Sequence, residues 1–93
     1  MLFTEKTTIE GVKSCSFLGV VEFGKEREIE KSCSDEDILN EIEDLKSDCF
    51  RGLELKVLSL GGNAVTGLKL EITGGRGIPL LSVSLRGNVV KAV

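Results

Sequence analysis

The longest hydrophobic pattern in the chain has the period of an α-helix. From residue 35 to residue 60, apolar side chains recur at steps of three and four: Ile38, Ile42, Leu45, Cys49, Leu53, Val57 and Leu60. This spacing places them on one face of a helix about 39 Å long. Gly52 lies within the pattern, where glycine is expected to cost about 1 kcal/mol relative to Ala and to mark a bend.

Both ends of this helix carry recognisable signals. Ser34 is expected to be the N-cap, with Asp37 as the acid of a capping box. At the other end, Gly61, Gly62 and Asn63 predict a C-cap and a tight turn into a strand, because Gly and then Asn best tolerate the left-handed conformation. We therefore assign structural roles to Ser34 and to the Gly-Gly-Asn run.

Four segments have the composition and alternation of strands. They are residues 3–9, 14–23, 63–73 and 78–93. The charged segment 24–33 has no clean period and is interpreted as a loop or hairpin extension. The predicted order is strand-strand-helix-strand-strand, an α+β fold with one long helix packed on an antiparallel-rich sheet, and the length indicates one domain, 1–93.

The last strand has two irregular positions. Leu81, Val83 and Leu85 alternate inward, but Val90 no longer falls on that face, so a β-bulge or kink is predicted at residues 87–88. Pro79 fits the first position of a strand or an edge strand, since it has no N–H to donate.

Strand 14–23 is apolar on both sides. Cys15, Phe17, Val21 and Phe23 share one predicted face, with Gly19 between them, while Leu18 and Val20 occupy the other. A single helix covers one face only, and a chain of 93 residues has no further layer to cover the other. The pattern therefore predicts that identical subunits cover it in a homo-oligomer.

Charge is unevenly distributed along the chain. Residues 22–54 contain twelve of the fifteen acidic residues against five basic ones, a net charge of −7, whereas residues 55–93 have a net charge of +4. A solvated helix face beside an ordinary sheet accounts for this distribution. Head-to-tail contact between oppositely charged surfaces of neighbouring copies accounts for it as well.

The composition argues against several classes of function. The chain has no His, which removes the commonest general base, the commonest transition-metal ligand and every Ser-His or Cys-His pair. Without Trp or Tyr, and with a net charge of −3, it lacks the aromatic platforms and basic groove of nucleic-acid binders. We predict no enzyme activity, no cofactor and no nucleic-acid partner.

The N-terminal residues 1–11 have neither the basic nor the apolar stretch of a signal peptide. No run approaches the roughly 18 apolar residues of a membrane span. These features predict a cytoplasmic protein without membrane contact, and an odd number of widely spaced cysteines fits free thiols there.

The three cysteines are the remaining candidates for chemistry. Cys15 and Cys49 fall on predicted core faces, where Cys usually serves as a small apolar residue. Cys33 directly precedes the N-cap, where a helix dipole lowers the pKa of an exposed thiol, so it is the candidate soft-metal ligand, with Asp35 and Glu36 as acidic neighbours. The alternative is that Cys33 packs onto the helix as a hydrophobic staple.

Two further motifs have structural explanations. Residues 74–77 (GGRG) could hold an anion, but they lie between two strands and lack the Lys-Ser/Thr pair of a P-loop, so a hairpin turn is predicted. Residues 35–37 (DED) lack the spacing of a calcium loop and are explained by helix capping.

Several of these segments together resemble the YbjQ-like family. They are residues 7–11 (TTIEG), 18–21 (LGVV), 60–67 (LGGNAVTG) and 82–90 (SVSLRGNVV). The resemblance implies a small α/β protein that forms homo-oligomeric rings, usually pentamers. It also implies a family that has carried a heavy-metal-binding label and has no established enzyme activity.

Two functions remain open from the sequence. The first is a non-catalytic, homo-oligomeric and by resemblance pentameric scaffold that presents a shared surface to a small ligand or a protein partner. The alternative is a soft heavy-metal or thiol-reactive binding protein that uses Cys33.

Overall fold

The computed structural model describes residues 1–30, 34–75 and 78–93. Its elements are β1 (Leu2–Phe3), β2 (Cys15–Glu28), α1 (Asp35–Ser59), β3 (Ala64–Gly75) and β4 (Ile78–Ala92). The strands form one sheet in the order β1-β3-β4-β2, in which β1 is parallel to β3 and the other pairs are antiparallel. The α+β class and the order of elements confirm the sequence prediction.

Two strand boundaries differ from the prediction. The strand expected over residues 3–9 is only Leu2–Phe3, and beyond it single backbone hydrogen bonds continue the contact with β3, such as Thr4 N to the Val65 carbonyl at 2.9 Å. The interpretation of residues 24–28 as a loop was wrong, because β2 continues to Glu28 in register with β4. Residues 31–33 of that predicted loop lie outside the described residues.

The core lies between α1 and one face of β2 and β4. Inward side chains of β4 meet the apolar stripe of the helix, and the residues with almost no exposed surface are Leu45, Cys49, Leu53, Val57, Val65, Leu81, Val83, Leu85 and Val89. The stripe predicted from the helical period therefore makes the core, although its last residue, Leu60, remains 45% exposed. The helix covers β2 and β4 and touches β3 little.

The opposite face of the sheet is mostly polar, so the expectation that it needs a second apolar layer was wrong for most of the sheet. The register brings polar residues together across three strands: Thr66 with Asn88, Lys69 with Arg86 and Glu22, Glu71 with Ser84, and Thr73 with Ser82 and Glu26. The exposed apolar side chains on this face include Phe17 and Val20 near the start of β2 and Leu80 of β4. Only at that end, near the N-terminal segment, does the face become buried, at Ala64, Thr66 and Val90.

The two bulges near the C-terminal end of β4 lie in its neighbouring strands, contrary to the prediction of a bulge at residues 87–88 of β4. In β3, the two residues Gly67 and Leu68 lie opposite the single residue Gly87 of β4. Gly67 has φ +59°. In β2, Leu18 is the extra residue between the pairs of Phe17 and Gly19. This bulge turns Phe17 away from the face of Val21, where the sequence pattern had placed it, because a shift of one residue reverses the face.

The ends of α1 are held as the sequence signals indicate, with one change. Ser34 accepts a hydrogen bond from Asp37 N, and the Asp37 side chain accepts one from Ser34 N. Gly61, with φ +80°, takes the left-handed conformation after the helix. Asn63 does not share it. Its side-chain amide instead exchanges two hydrogen bonds with the backbone of Ala92, at 2.7 and 2.8 Å, and so fastens the turn to the end of β4.

Two glycines of this region allow close packing. A side chain at Gly62 would meet Val57 and Val89, so its absence lets the turn lie against both. A side chain at Gly52 would overlap the ring of Phe23 in β2. The helix runs unbroken from Asp35 to Ser59. Gly52 therefore does not interrupt the helix, and its missing side chain leaves space for the Phe23 ring.

Candidate functional site

The second half of β2, residues 22–28, is fastened to the helix by charged contacts. We call it the charged half of β2. The Arg27 guanidinium pairs with Glu41 and lies 3.9 Å from Asp44, while Lys25 pairs with Asp48 at 3.2 Å. The hydrogen bond to Glu41 raises the pKa of Arg27 above its ordinary value, and burial opposes this only in part. Carboxylates of the acidic helix face therefore form ion pairs with cations of β2 in the same protomer.

Phe23 and Lys56 complete this junction. The Lys56 ammonium lies 5.5 Å from the centre of the Phe23 ring and donates a hydrogen bond to the Glu22 carbonyl at 2.7 Å. The Phe23 ring occupies the space that Gly52 leaves open. One side of the helix is thus bound to β2 by aromatic, cationic and ionic contacts together.

The first half of β2, residues 15–21, has no such partners. We call it the apolar half of β2. Phe17 is 65% exposed and Val20 is 60% exposed, although both lie in a strand of the sheet. The strand is also an outer strand of the sheet, so the backbone groups on its free side have no partner among the described strands. An exposed edge with large apolar side chains is a surface suited to another chain.

A second apolar margin lies beside β3. Leu70 and Ile72 point to the same face as the core, yet they are 40% and 42% exposed because α1 does not extend over them. Nearer β1, Phe50 covers the sheet by packing edge to face on Phe3, with ring centroids 5.3 Å apart. Past Leu68, whose N–H donates to the Thr4 carbonyl, no described strand pairs with the outer edge of β3.

The polar face of the sheet contains a small cleft at its centre. Its volume is about 50 Å³, and it is lined by Glu22, Lys69, Glu71, Ser84 and Arg86. Lys69 and Arg86 are direct cross-strand partners, and Arg86 is also the partner of Glu22 on the other side. The two cations and two carboxylates come from three different strands, so only the folded sheet assembles them.

The cysteines divide into three cases. Cys49 is fully buried, as predicted, and its thiol donates a hydrogen bond to the Val83 carbonyl at 3.4 Å. Burial raises the pKa of this thiol, against a smaller lowering by Lys25. Cys15 is exposed, so its assignment to the core was wrong, because the bulge at Leu18 changes the face of the preceding residues. Cys33 lies outside the described residues, and its role as a metal ligand stays a prediction.

No metal site is visible elsewhere in the described parts of the chain. In residues 1–30, 34–75 and 78–93, no three Cys, Asp or Glu side chains converge in a way that could hold an ion. The acidic residues 35–37 begin the helix, and Asp37 makes the capping contact. Gly75 pairs with Ile78, as in a hairpin, while residues 76 and 77 of the predicted turn are not described.

No family model matches the sequence, and no curated protein matches it. Within the described residues, no helix has the length and apolar character needed to cross a membrane.

A solved structure does match over the whole length. It is the crystal structure of a protein of unknown function from Pediococcus pentosaceus that belongs to the DUF74 family, with a TM-score of 0.80 and 24% identity. The match covers 100% of this chain and 98% of that one. DUF74 is the YbjQ-like family, the family that the sequence motifs resemble. This chain therefore shares the fold of a YbjQ-like protein.

Proposed function

We propose that this protein is a non-catalytic subunit of a homo-oligomer, whose assembled surface serves as a scaffold for a partner or a small ligand. The observation that carries the proposal is the apolar half of β2, where Phe17 and Val20 are exposed on an open sheet edge. Such an edge is a recognised site for pairing with another chain.

The shape of the protomer supports assembly. It exposes 6147 Å², against roughly 5,200 Å² expected for a monomer of this mass. Its radius of gyration is 15.4 Å, against roughly 12 Å for a compact domain of this length. An elongated subunit with excess surface is stabilised when neighbours bury part of that surface.

The two apolar margins suit a head-to-tail arrangement. The apolar half of β2 and the Leu70–Ile72 margin of β3 lie at opposite edges of one sheet. When two different surfaces of the same chain meet, the contact repeats and closes into a ring if the rotation allows it. The resemblance to the YbjQ-like family implies such a ring, with five copies as the expected number.

The chemistry of the described residues supports a role without catalysis. The Cys49 thiol is buried with a raised pKa, so it stays protonated at neutral pH and is a poor nucleophile. The strongest charge cluster, around Arg27, joins β2 to the helix. This cluster therefore stabilises the fold.

Hydrogen exchange tests the proposed contact directly. In an isolated protomer, every second amide of an outer strand faces solvent. We expect amides of residues 15–21 to exchange slowly in the wild-type protein and quickly in the double variant F17D/V20D. Equal, rapid exchange in both proteins would contradict the proposal.

A further inference from the structure

The cleft on the polar face of the sheet contains two cations that lie directly opposite each other on neighbouring strands. Directly opposed residues of an antiparallel pair have Cβ atoms about 4.5–5.5 Å apart, and like charges in this position repel each other. Lys69 and Arg86 form such a pair at the centre of the sheet. An arrangement of this kind is favourable when a negative group lies between the two cations.

The carboxylates of the same cleft do not fill that role. Glu22 and Glu71 line the cleft with the cations, yet none of the four charged groups makes an ion pair within the described residues. On the other side of the sheet, by contrast, Arg27 and Lys25 both find carboxylates. The cations of the cleft thus keep their capacity to bind a negative group from outside.

Small residues give the cleft its depth. Ser84 lies between Glu71 and Gly24 across the three strands, and no side chain rises from Gly24 to fill the space beside it. The cleft has a volume of about 50 Å³, well below that of pockets that enclose a whole ligand. It therefore takes one charged group of a small ligand, and the rest of that ligand stays on the surface of the sheet.

We propose that this cleft binds a small ligand that carries an oxyanion, either a carboxylate or a phosphate, together with an amine. The oxyanion bridges Lys69 and Arg86, because a guanidinium and an ammonium both donate charge-assisted hydrogen bonds to it. The amine donates to Glu22 and Glu71, which would otherwise repel an anion. The site lies on one protomer, so the inference goes beyond the proposed oligomer and does not depend on it.

Titration with matched probes tests the site. Amide shifts of residues 69, 71, 84 and 86 are followed by NMR at constant ionic strength, with β-alanine against propionate and phosphoethanolamine against ethyl phosphate. We expect saturable shifts at these residues, with the amine-bearing member of a pair binding more tightly. The pair that binds identifies the oxyanion as carboxylate or phosphate.

Variants assign the binding to the proposed groups. K69Q and R86Q should each weaken binding about tenfold, the effect of losing one charge-assisted hydrogen bond. E22Q and E71Q should reduce the preference for the amine. K91Q removes an exposed cation of the same strand and should leave the affinity unchanged.

Two results would overturn the inference. One is the absence of saturable shifts with all four probes, and the other is equal affinity in wild type, K69Q and R86Q. The mass of each variant is measured in the same samples. Loss of binding at unchanged mass separates this site from the assembly, and a monomeric protein that still binds the probe would refute the oligomer alone.

Discussion

The two halves of β2 show how one strand can serve two purposes. The charged half, residues 22–28, is completed within the protomer, where Lys25, Arg27 and Phe23 contact the helix. The apolar half, residues 15–21, is left with Phe17 and Val20 exposed at an open edge. The difference teaches that in β2 the charged side chains stabilise the fold of the protomer itself, whereas the half without such contacts exposes apolar side chains.

The largest effect is expected from charging the apolar half. If Phe17 and Val20 are buried between copies, the double variant F17D/V20D loses about 3 to 6 kcal/mol of apolar burial and gains two carboxylates to desolvate. We expect the sedimenting mass to fall to the 10.0 kDa of a single chain. The matched control, E26Q/E28Q in the charged half, should keep the wild-type mass, and a double variant with undiminished mass would contradict the role of this half.

A smaller effect is expected where the charged half meets the helix. G52A gains about 1 kcal/mol of helix propensity, but its methyl group would overlap the Phe23 ring, and overpacking costs about 1 to 3 kcal/mol. We expect net destabilisation in urea unfolding. In an F23L background the methyl has room, so G52A should become neutral or stabilising. A stabilising G52A in the wild-type background would show that the ring does not pack there.

Removing the central cation of the charged half should cost less. Because the Arg27 side chain is 36% exposed, solvent screens its ion pairs, and we expect R27Q to lower the free energy of unfolding only slightly. The difference should shrink as salt is added. K91Q, an exposed cation outside this cluster, should change stability by less than about 0.5 kcal/mol. A cost for R27Q that does not respond to salt would point to packing instead of charge.

The smallest effect concerns the pH dependence of stability. Burial raises the pKa of Cys49, so the folded state holds the thiol proton more tightly than the unfolded chain. This contribution is complete below about pH 8.5, the usual thiol pKa, and is lost as pH rises through the higher folded pKa. We expect the unfolding free energy of wild type to fall more steeply than that of C49A as the pH rises above about 8.5. C15A, which removes an exposed thiol, should follow wild type, and parallel slopes in all three would contradict the raised pKa.

The parts of the fold that follow a local pattern were predictable from the sequence. The helix from Ser34 to its end, its buried stripe and the Gly61 turn each depend on neighbouring residues with a fixed period. The inward alternation of Leu81, Val83 and Leu85 was likewise correct.

Features that depend on pairing between distant strands were not predictable. The bulge at Leu18 reversed the faces of Phe17 and Cys15, and nothing in the local pattern marks it except Gly19, which has φ +147°. The extension of β2 through residues 24–28 depends on ion pairs with a helix that is still distant in sequence. The cleft that contains Lys69 and Arg86 forms only when β2, β3 and β4 pair in one particular register. The sequence of each strand taken alone does not show that register.

The most direct test of the central claim is the mass of the wild-type protein in solution. Sedimentation equilibrium over micromolar concentrations measures it independently of shape. The account predicts a discrete multiple of 10.0 kDa, with five as the multiple that the YbjQ-like resemblance implies. A mass of one chain at every concentration would contradict the claim that the apolar half of β2 is a contact between copies.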